Sequence, residues 1–563
     1  MKGVPPEIVE NILQYIQLPI LKNIYDNSPN DHLKFLIATR LYKKIHYGLY
    51  HSFGPFYYSC EDYCISIEEL YILADGNISA SVQSLTIADD EPYYNEFLSF
   101  SKANPTFIST IAKVKYLGTG RKFMEYAAQF PVANFVELDL KNAEQMRVAN
   151  LPSNVHKLSL TFSSPINSVL MGWPASLKTL KIDWQNSTAS LKLPSGLEEF
   201  ECRGWDNEGI IEFPQGLKRL KLKGANISVD EWQLPTLLEE LELSNCGIRD
   251  IETPAFLLPS TLKKLSLTNN PITSLANVLF PKDLQFLNVL YCELTTLEGV
   301  SFPLLLQELR VDHNSIPTFE NVDLGSLKLL DNSGYSSQNP NYMKHLSKTT
   351  FPDTLETLIL GDLPIKDWPQ AVLHNTLKQL TLYCTDDPKT LTFPPALEIL
   401  ELQFPYKSDY KYSDLNLPLS LQKLELIFGN SSEFDWNLPN LKCMTLINFE
   451  GAITIPKTVM MLSIITNNKK VFDALEIPFG AEKVTLSFQA KLPNSVIDLE
   501  ILNFDSGTQY VLPQKLASAR LFSGQFEGPV KRGLLLLPET LQYIDGYVDP
   551  TLAEEVNLKR CMK

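Results

Sequence analysis

Leu258-Pro259-Ser260-Thr261-Leu262-Lys263-Lys264-Leu265-Ser266-Leu267-Thr268-Asn269-Asn270-Pro271-Ile272 carries the rule by which this chain is built. An apolar residue and a proline are followed three residues later by Leu, then by Leu-x-Leu, a small polar residue and Ile. The proline recurs at Pro131, Pro152, Pro174, Pro194, Pro214, Pro235, Pro259, Pro281 and Pro303. Gly325 and His374 each take its slot once, and the series resumes at Pro352, Pro394, Pro418, Pro439, Pro456, Pro478, Pro493, Pro513 and Pro538. A period of about 20–24 residues is the signature of a solenoid, here of about 20–22 coils once the weaker copies near Val82–Ile87 and Val114–Leu117 are included.

The geometry of one coil follows from the spacing. Leu265 and Leu267 are two apart and share one face of a short strand. A strand repeated in every coil stacks parallel to its neighbours. About five of some 21 residues go to the strand and several to turns, which leaves too few for a full helix on the return path. The return is therefore expected to be extended or 3-10. Proline, which lacks an N–H, belongs before the ladder begins. Asn270, Asn314, Cys246 and Cys292 share the slot after the strand, where a small polar side chain can satisfy the backbone of a tight turn.

This pattern resembles the leucine-rich repeat, L-x-x-L-x-L-x-x-N/C-x-L. Its Leu-Pro-x-x-Leu entry is also similar to FNIP-type repeats and to the LPX-type repeats of bacterial effector ligases. The resemblance implies an α/β solenoid: a leucine-rich-repeat horseshoe with a parallel concave sheet and a mostly extended or 3-10 convex side. The effector ligases append a Cys-based catalytic domain, and with repeats running to about Tyr547 none is expected here.

The first 50 residues read as helical. Pro5 and Pro6 suit a helix start, and Ile8, Val9, Ile12, Leu13 and Ile16 form one apolar stripe. A second helix is expected from Asp31 to about Tyr50. Val4-Pro5-Pro6-Glu7-Ile8-Val9-Glu10-Asn11-Ile12-Leu13 resembles the head of an F-box, L-P-x-E-I-L-x-x-I-F, although the Cys-Arg-x-Trp element that often follows is absent. That resemblance implies docking on a Skp-family adaptor through Pro5, Ile8, Val9, Ile12, Leu13 and Ile16. The alternative is a helical cap on the first coil. The expected organisation is an F-box-like domain at 1–50, a junction at 51–77, the solenoid at 78–547 and a tail at 548–563.

The chain has 563 residues, 44% of them hydrophobic, and a formal net charge of −16. That charge argues against non-specific binding of nucleic acid or an anionic membrane. Glu7 and Glu10 interrupt any signal-peptide core, and no apolar run reaches the roughly 18 residues of a membrane span. An intracellular location, in cytoplasm or nucleus, is expected. Cys60 and Cys64 lack a second pair to complete a zinc site, and no nucleotide, hydrolase or metalloprotease motif occurs. Neither a cofactor nor catalysis is expected.

What remains is a surface. Residues between and just after the strand leucines are expected to point onto the concave face, giving Phe162, Trp184, Arg203, Tyr291, Arg310, Tyr383, Phe404, Phe428 and Phe488 as candidate contacts for a protein substrate. Aromatic side chains beside arginine are typical of binding hot spots. With the F-box resemblance, this implies the substrate-recognition subunit of a cullin-type ubiquitin ligase. The competing expectation is a structural scaffold.

Overall fold

The computed structural model describes residues 13, 18–28, 31–47, 63–75, 82–91, 93–165, 170–188, 190–205, 210–225, 233–252, 256–334, 346, 348–365, 367–368, 371–384, 388–404, 415–430, 437–451, 453–473, 475–504, 509–523, 535–546, 548–549, 552 and 556. The chain divides into two compact units, Met1–Ile248 with Pro254–Lys263, and Arg249–Thr253 with Lys264–Lys563. The division falls inside the 258–272 stretch.

Each unit is a stack of coils that contribute one strand apiece to a parallel sheet. In the first unit Tyr63–Cys64 and Ser84–Ala88 flank Lys44–Tyr47 on opposite sides. The sheet then proceeds in chain order from Ser84–Ala88 through Lys113–Thr119, Phe135–Lys141, Lys157–Thr161, Thr179–Ser187 and Glu199–Trp205 to Arg219–Lys223 and Glu240–Ser244. In the second unit the order runs from Lys264–Ser266 to Tyr543–Gly546, each strand beside the next. Strand leucines form the core: Leu220 and Leu222 in one unit, and Leu265, Leu267, Leu400 and Leu402 in the other, are all 0% exposed. Each such side chain contributes about 1.5–3 kcal/mol by leaving water.

The spacing of three from Pro to Leu is the spacing of a β-turn. Leu262 N–H donates to the Pro259 carbonyl at 3.1 Å, and Leu284 to Pro281 and Leu516 to Pro513 at the same distance. Proline accepts at the first turn position, where no N–H is needed. The turn also carries a hydroxyl two residues after proline that bonds the preceding coil. Thr261 Oγ1 donates to Leu238 O at 2.7 Å and has Thr236 O at 3.1 Å; Ser420 reaches Leu397 O at 2.6 Å and Thr540 reaches Leu516 O at 2.7 Å. Thr261→Val keeps the shape and removes the donor. We expect it to lower stability by about 1 kcal/mol in urea unfolding, with Thr261→Ser close to wild type.

The slot after the strand behaves as its residue types require. Asn270 is 1% exposed and its Nδ2 donates to Leu267 O at 2.8 Å, while Cys292 Sγ lies 3.3 Å from the same carbonyl. One residue earlier the backbone is left-handed, at Asn245 (φ +54°) in the first unit and at Asn269 (+56°), Tyr291 (+52°) and His313 (+56°) in the second. Asparagine and histidine are among the side chains that most often tolerate this conformation; tyrosine rarely adopts it.

The early coils differ from the expectation. The helix expected to run to about Tyr50 spans Asp31–Leu41, and the chain enters the sheet at Lys44–Tyr47, within the stretch read as all-helical. Ile45 and Tyr47 alternate inward with a period of two and pair with Leu85 and Ile87, and this pairing ends the helix. The return at Gly120–Gln129 is also helical where an extended one is expected, while Tyr93–Ala103 and Pro105–Thr110 occupy the stretch at about 90–110 that reads as partly helical in the sequence. Their inner faces hold Phe97, Phe100, Phe123 and Tyr126, all 0% exposed. Among the described residues of the later coils the return is mostly extended, with the 3-10 turn Pro388–Thr390, the one-turn helix Lys470–Asp473 and the short strand pair Tyr510–Val511 and Leu535–Leu536.

Candidate functional site

Strand residues that alternate with the buried leucines form the open face of each sheet. In the first unit this face is an ion ladder. Lys115 and Lys157 lie 3.0 and 2.9 Å from Glu137, Lys181 lies 3.3 Å from Glu201, and Lys221 and Lys223 lie 3.2 and 2.9 Å from Glu242. Burial pushes the Glu137 and Glu242 carboxyls up, but the two lysines around each outweigh it and hold both below the usual carboxylate range. The charges answer one another, so this face offers no broad field of one sign.

The second unit's open face has two parts. At its leading coils Tyr291 is 53% exposed, and its ring lies 3.9 Å from that of His313, centre to centre. His313 Nδ1 is 3.4 Å from Asp312 Oδ2, and Asp331 accepts from Ser333 Oγ at 2.7 Å. Burial, then repulsion from Asp331, raises the Asp312 carboxyl above its ordinary value. A carboxyl raised on folding holds its proton in the native state where the unfolded chain has lost it. Stability therefore falls as pH rises from the ordinary Asp range through the raised value. Asp312→Asn is expected to flatten that slope and raise the urea midpoint at pH 7, measured as midpoint against pH for both proteins.

Further along, Ile399–Gln403, Lys423–Asn430, Cys443–Glu450 and Met461–Ile465 lie in unbroken register. Their open face carries Ile427, Ile447 and Ile465, all half-buried, beside a polar row of Glu401, Glu425, Thr445 and Ser463. Lys423 Nζ is 2.5 Å from Glu401 and 3.8 Å from Glu425. Burial and the charge of Glu401 raise the Glu425 carboxyl.

The expected contact residues divide. Arg203 stands on the open face, 3.3 Å from Glu201, and Arg310 is 3.9 Å from Glu308. Tyr383 is half-buried there, and half-buried Phe488 packs edge-on against Phe472 at 5.7 Å. The side chain of Phe428 lies outside the described residues. Phe162, Trp184 and Phe404 are corrections: at 3%, 4% and 0% exposure they belong to the core. Each stands two residues after an inward residue (Leu160, Ile182 and Leu402), and a period of two turns it inward as well. Tyr291 has the same offset from Val289 and escapes only through its left-handed backbone.

Of the residues expected to meet an adaptor, Leu13 is 3% exposed and so is packed within the chain itself; Pro5, Ile8, Val9, Ile12 and Ile16 lie outside the described residues. The isoleucine row was not among the expected contacts, which are aromatic or arginine side chains. The signal was present in the sequence as an apolar residue one position after the second strand leucine. Among the described residues no three His, Cys, Asp or Glu side chains gather where a metal ion could be held, and no helix is long and apolar enough to cross a membrane.

No family model matches the chain, and no curated protein does. Among solved structures it is similar to CroV588, described as a circular LRR protein, at 18% identity over 88% of this chain and 95% of that one, with a TM-score of 0.40. It is also similar to YopM from Yersinia enterocolitica WA-314, at 17% identity over 76% and 95%, TM-score 0.37. A third is the TLR13–ssRNA13 complex, at 14% identity over 83% and 71%, TM-score 0.38.

Proposed function

We propose that this protein works without catalysis, by holding another protein on the open face of its parallel sheet. The observation that carries this reading is the isoleucine row of the second unit. Three branched apolar side chains stand half-buried on the open face in neighbouring strands, whereas the matching slots of the first unit hold Thr161, Asp183, Arg203 and Lys223. A solenoid exposes such a face along its length, and protein partners are its usual occupants.

The finer proposal is that of a substrate-recognition subunit in a cullin-type ubiquitin ligase, with a Skp-family adaptor on the N-terminal helices. It is supported by the F-box resemblance of residues 4–16. Its role would be proximity, raising the effective concentration of substrate lysines near the conjugating enzyme. The test is capture of purified Skp-family adaptor by the wild-type protein and by Ile8→Asp/Ile12→Asp. Capture by the first and not the second is expected; no capture by wild type removes the ligase assignment and leaves open-face binding standing.

A specific observation favours a second reading, in which these helices are a cap. Leu13 and Leu21 are buried, and Lys22 in Leu18–Asn27 pairs at 2.7 Å with Glu69 in Ile67–Asp75. Under that reading Ile8→Asp/Ile12→Asp lowers the melting temperature and wild type captures no adaptor.

A further inference from the structure

We infer that the segment received by the second unit is an amphipathic α-helix bearing lysine or arginine, laid across the strands from Ile399–Gln403 to Met461–Ile465. The inference rests on the reading that the open face binds protein.

The strands set the spacing. Gln403, Ile427, Ile447 and Ile465 are register partners in successive strands, as are Glu401, Glu425, Thr445 and Ser463. Neighbouring strands lie about 4.8 Å apart, so the isoleucine row repeats at that distance. A helix crossing the strands presents a side chain on one face about every 5.4 Å, and its apolar positions stay over three successive isoleucines. An extended segment crossing the same way repeats on one face at about 6.8 Å and drifts off the row within two strands.

The charge comes from the adjoining row. Glu401 and Glu425 are neighbours, and the single ammonium of Lys423 sits at 2.5 Å from one and 3.8 Å from the other. Among the described residues one cation thus serves two carboxylates that are both partly withdrawn from water, and Glu401 also accepts from Thr381 Oγ1 at 3.1 Å, which leaves Glu425 the less well served. A basic side chain on the flank of the helix would lie over Glu425 while the apolar flank covers the isoleucines. Nucleic acid and anionic lipid are disfavoured by the same two glutamates.

The experiment is selection from a displayed library of random peptides against the full-length protein, with counter-selection on Ile447→Asp. Ile465→Thr is a milder second variant, and circular dichroism checks that both fold. We expect recovered peptides to carry apolar residues at i, i+4 and i+7 with an excess of Lys and Arg. As synthetic peptides they should bind at least about tenfold more weakly to Ile447→Asp, and more weakly to Glu401→Gln/Glu425→Gln. Row-dependent peptides with a period of two, or with an acidic excess, overturn the helix inference and leave open-face binding standing. Peptides indifferent to both isoleucine variants, or no row-dependent peptides at all, overturn both.

Discussion

Asn314→Ala is expected to lower the stability of the protein by about 3–5 kcal/mol, among the largest effects of any single substitution in the second unit. The side chain is buried within the turn of its coil. Its Nδ2 donates to Val289 O and Val311 O, both at 2.8 Å, with Asp312 O at 3.3 Å, and its Oδ1 accepts from Leu294 N–H at 3.0 Å. Alanine would take this partner from the buried Leu294 N–H and from the carbonyls of Val289 and Val311, while Asp312 O keeps the Tyr291 N–H at 3.2 Å. Asn314→Asp keeps the acceptor and loses the donors, so it should remain damaging. Asn314→Cys, the residue type of the same slot at Cys246 and Cys292, should fall between alanine and wild type. Urea unfolding of the three variants gives the order; a loss under about 1 kcal/mol for alanine would show that the amide is not what holds the turn.

Gly546→Ala is the second large expectation, and its effect should be local. Gly546 has φ of +102°, and a Cβ there would overlap the carbonyl group of Leu521 in the neighbouring coil. The obstacle is backbone, which cannot swing aside as a side chain would. A cost of about 2–4 kcal/mol is expected. Because each coil of a solenoid contacts only its neighbours, the cost falls on the terminal coils. Hydrogen exchange should accelerate in Tyr543–Gly546 and Ser518–Ser523 while Lys264–Ser266 keeps its protection. Uniform acceleration through the unit would contradict this picture.

The repeat was legible because its determinants are local. Leu262, Leu265, Leu267, Asn270 and Ile272 declare their positions by spacing alone, and each is at most 1% exposed. Trp184, expected as a contact, stands at the end of a strand where its offset of two from Ile182 turns it inward. The helical stretch at about 90–110 was legible in the sequence, and Tyr93–Ala103 falls in it, whereas the return at Gly120–Gln129 was obscured because it follows a coil whose strand signal is weak. The hydroxyls of Thr261, Ser420 and Thr540 look like ordinary surface polarity in sequence. Their role depends on a carbonyl some two dozen residues away, which only the stacked coils bring near.

The ion ladder of the first unit bears on how a chain of near-identical coils finds the right neighbours. Lys181, Glu201, Lys221 and Glu242 are register partners in four successive strands, and their signs alternate. If a folding chain omitted one coil and joined the strand of Lys181 directly to that of Lys221, lysine would stand beside lysine. Joining the strand of Glu201 to that of Glu242 would set carboxylate beside carboxylate. Either mistake exchanges an attraction for a repulsion at the centre of the new pair, while the leucines beneath would accept the wrong partner without complaint. The apolar interior makes every coil compatible with every other, and the alternating row of charge counts them.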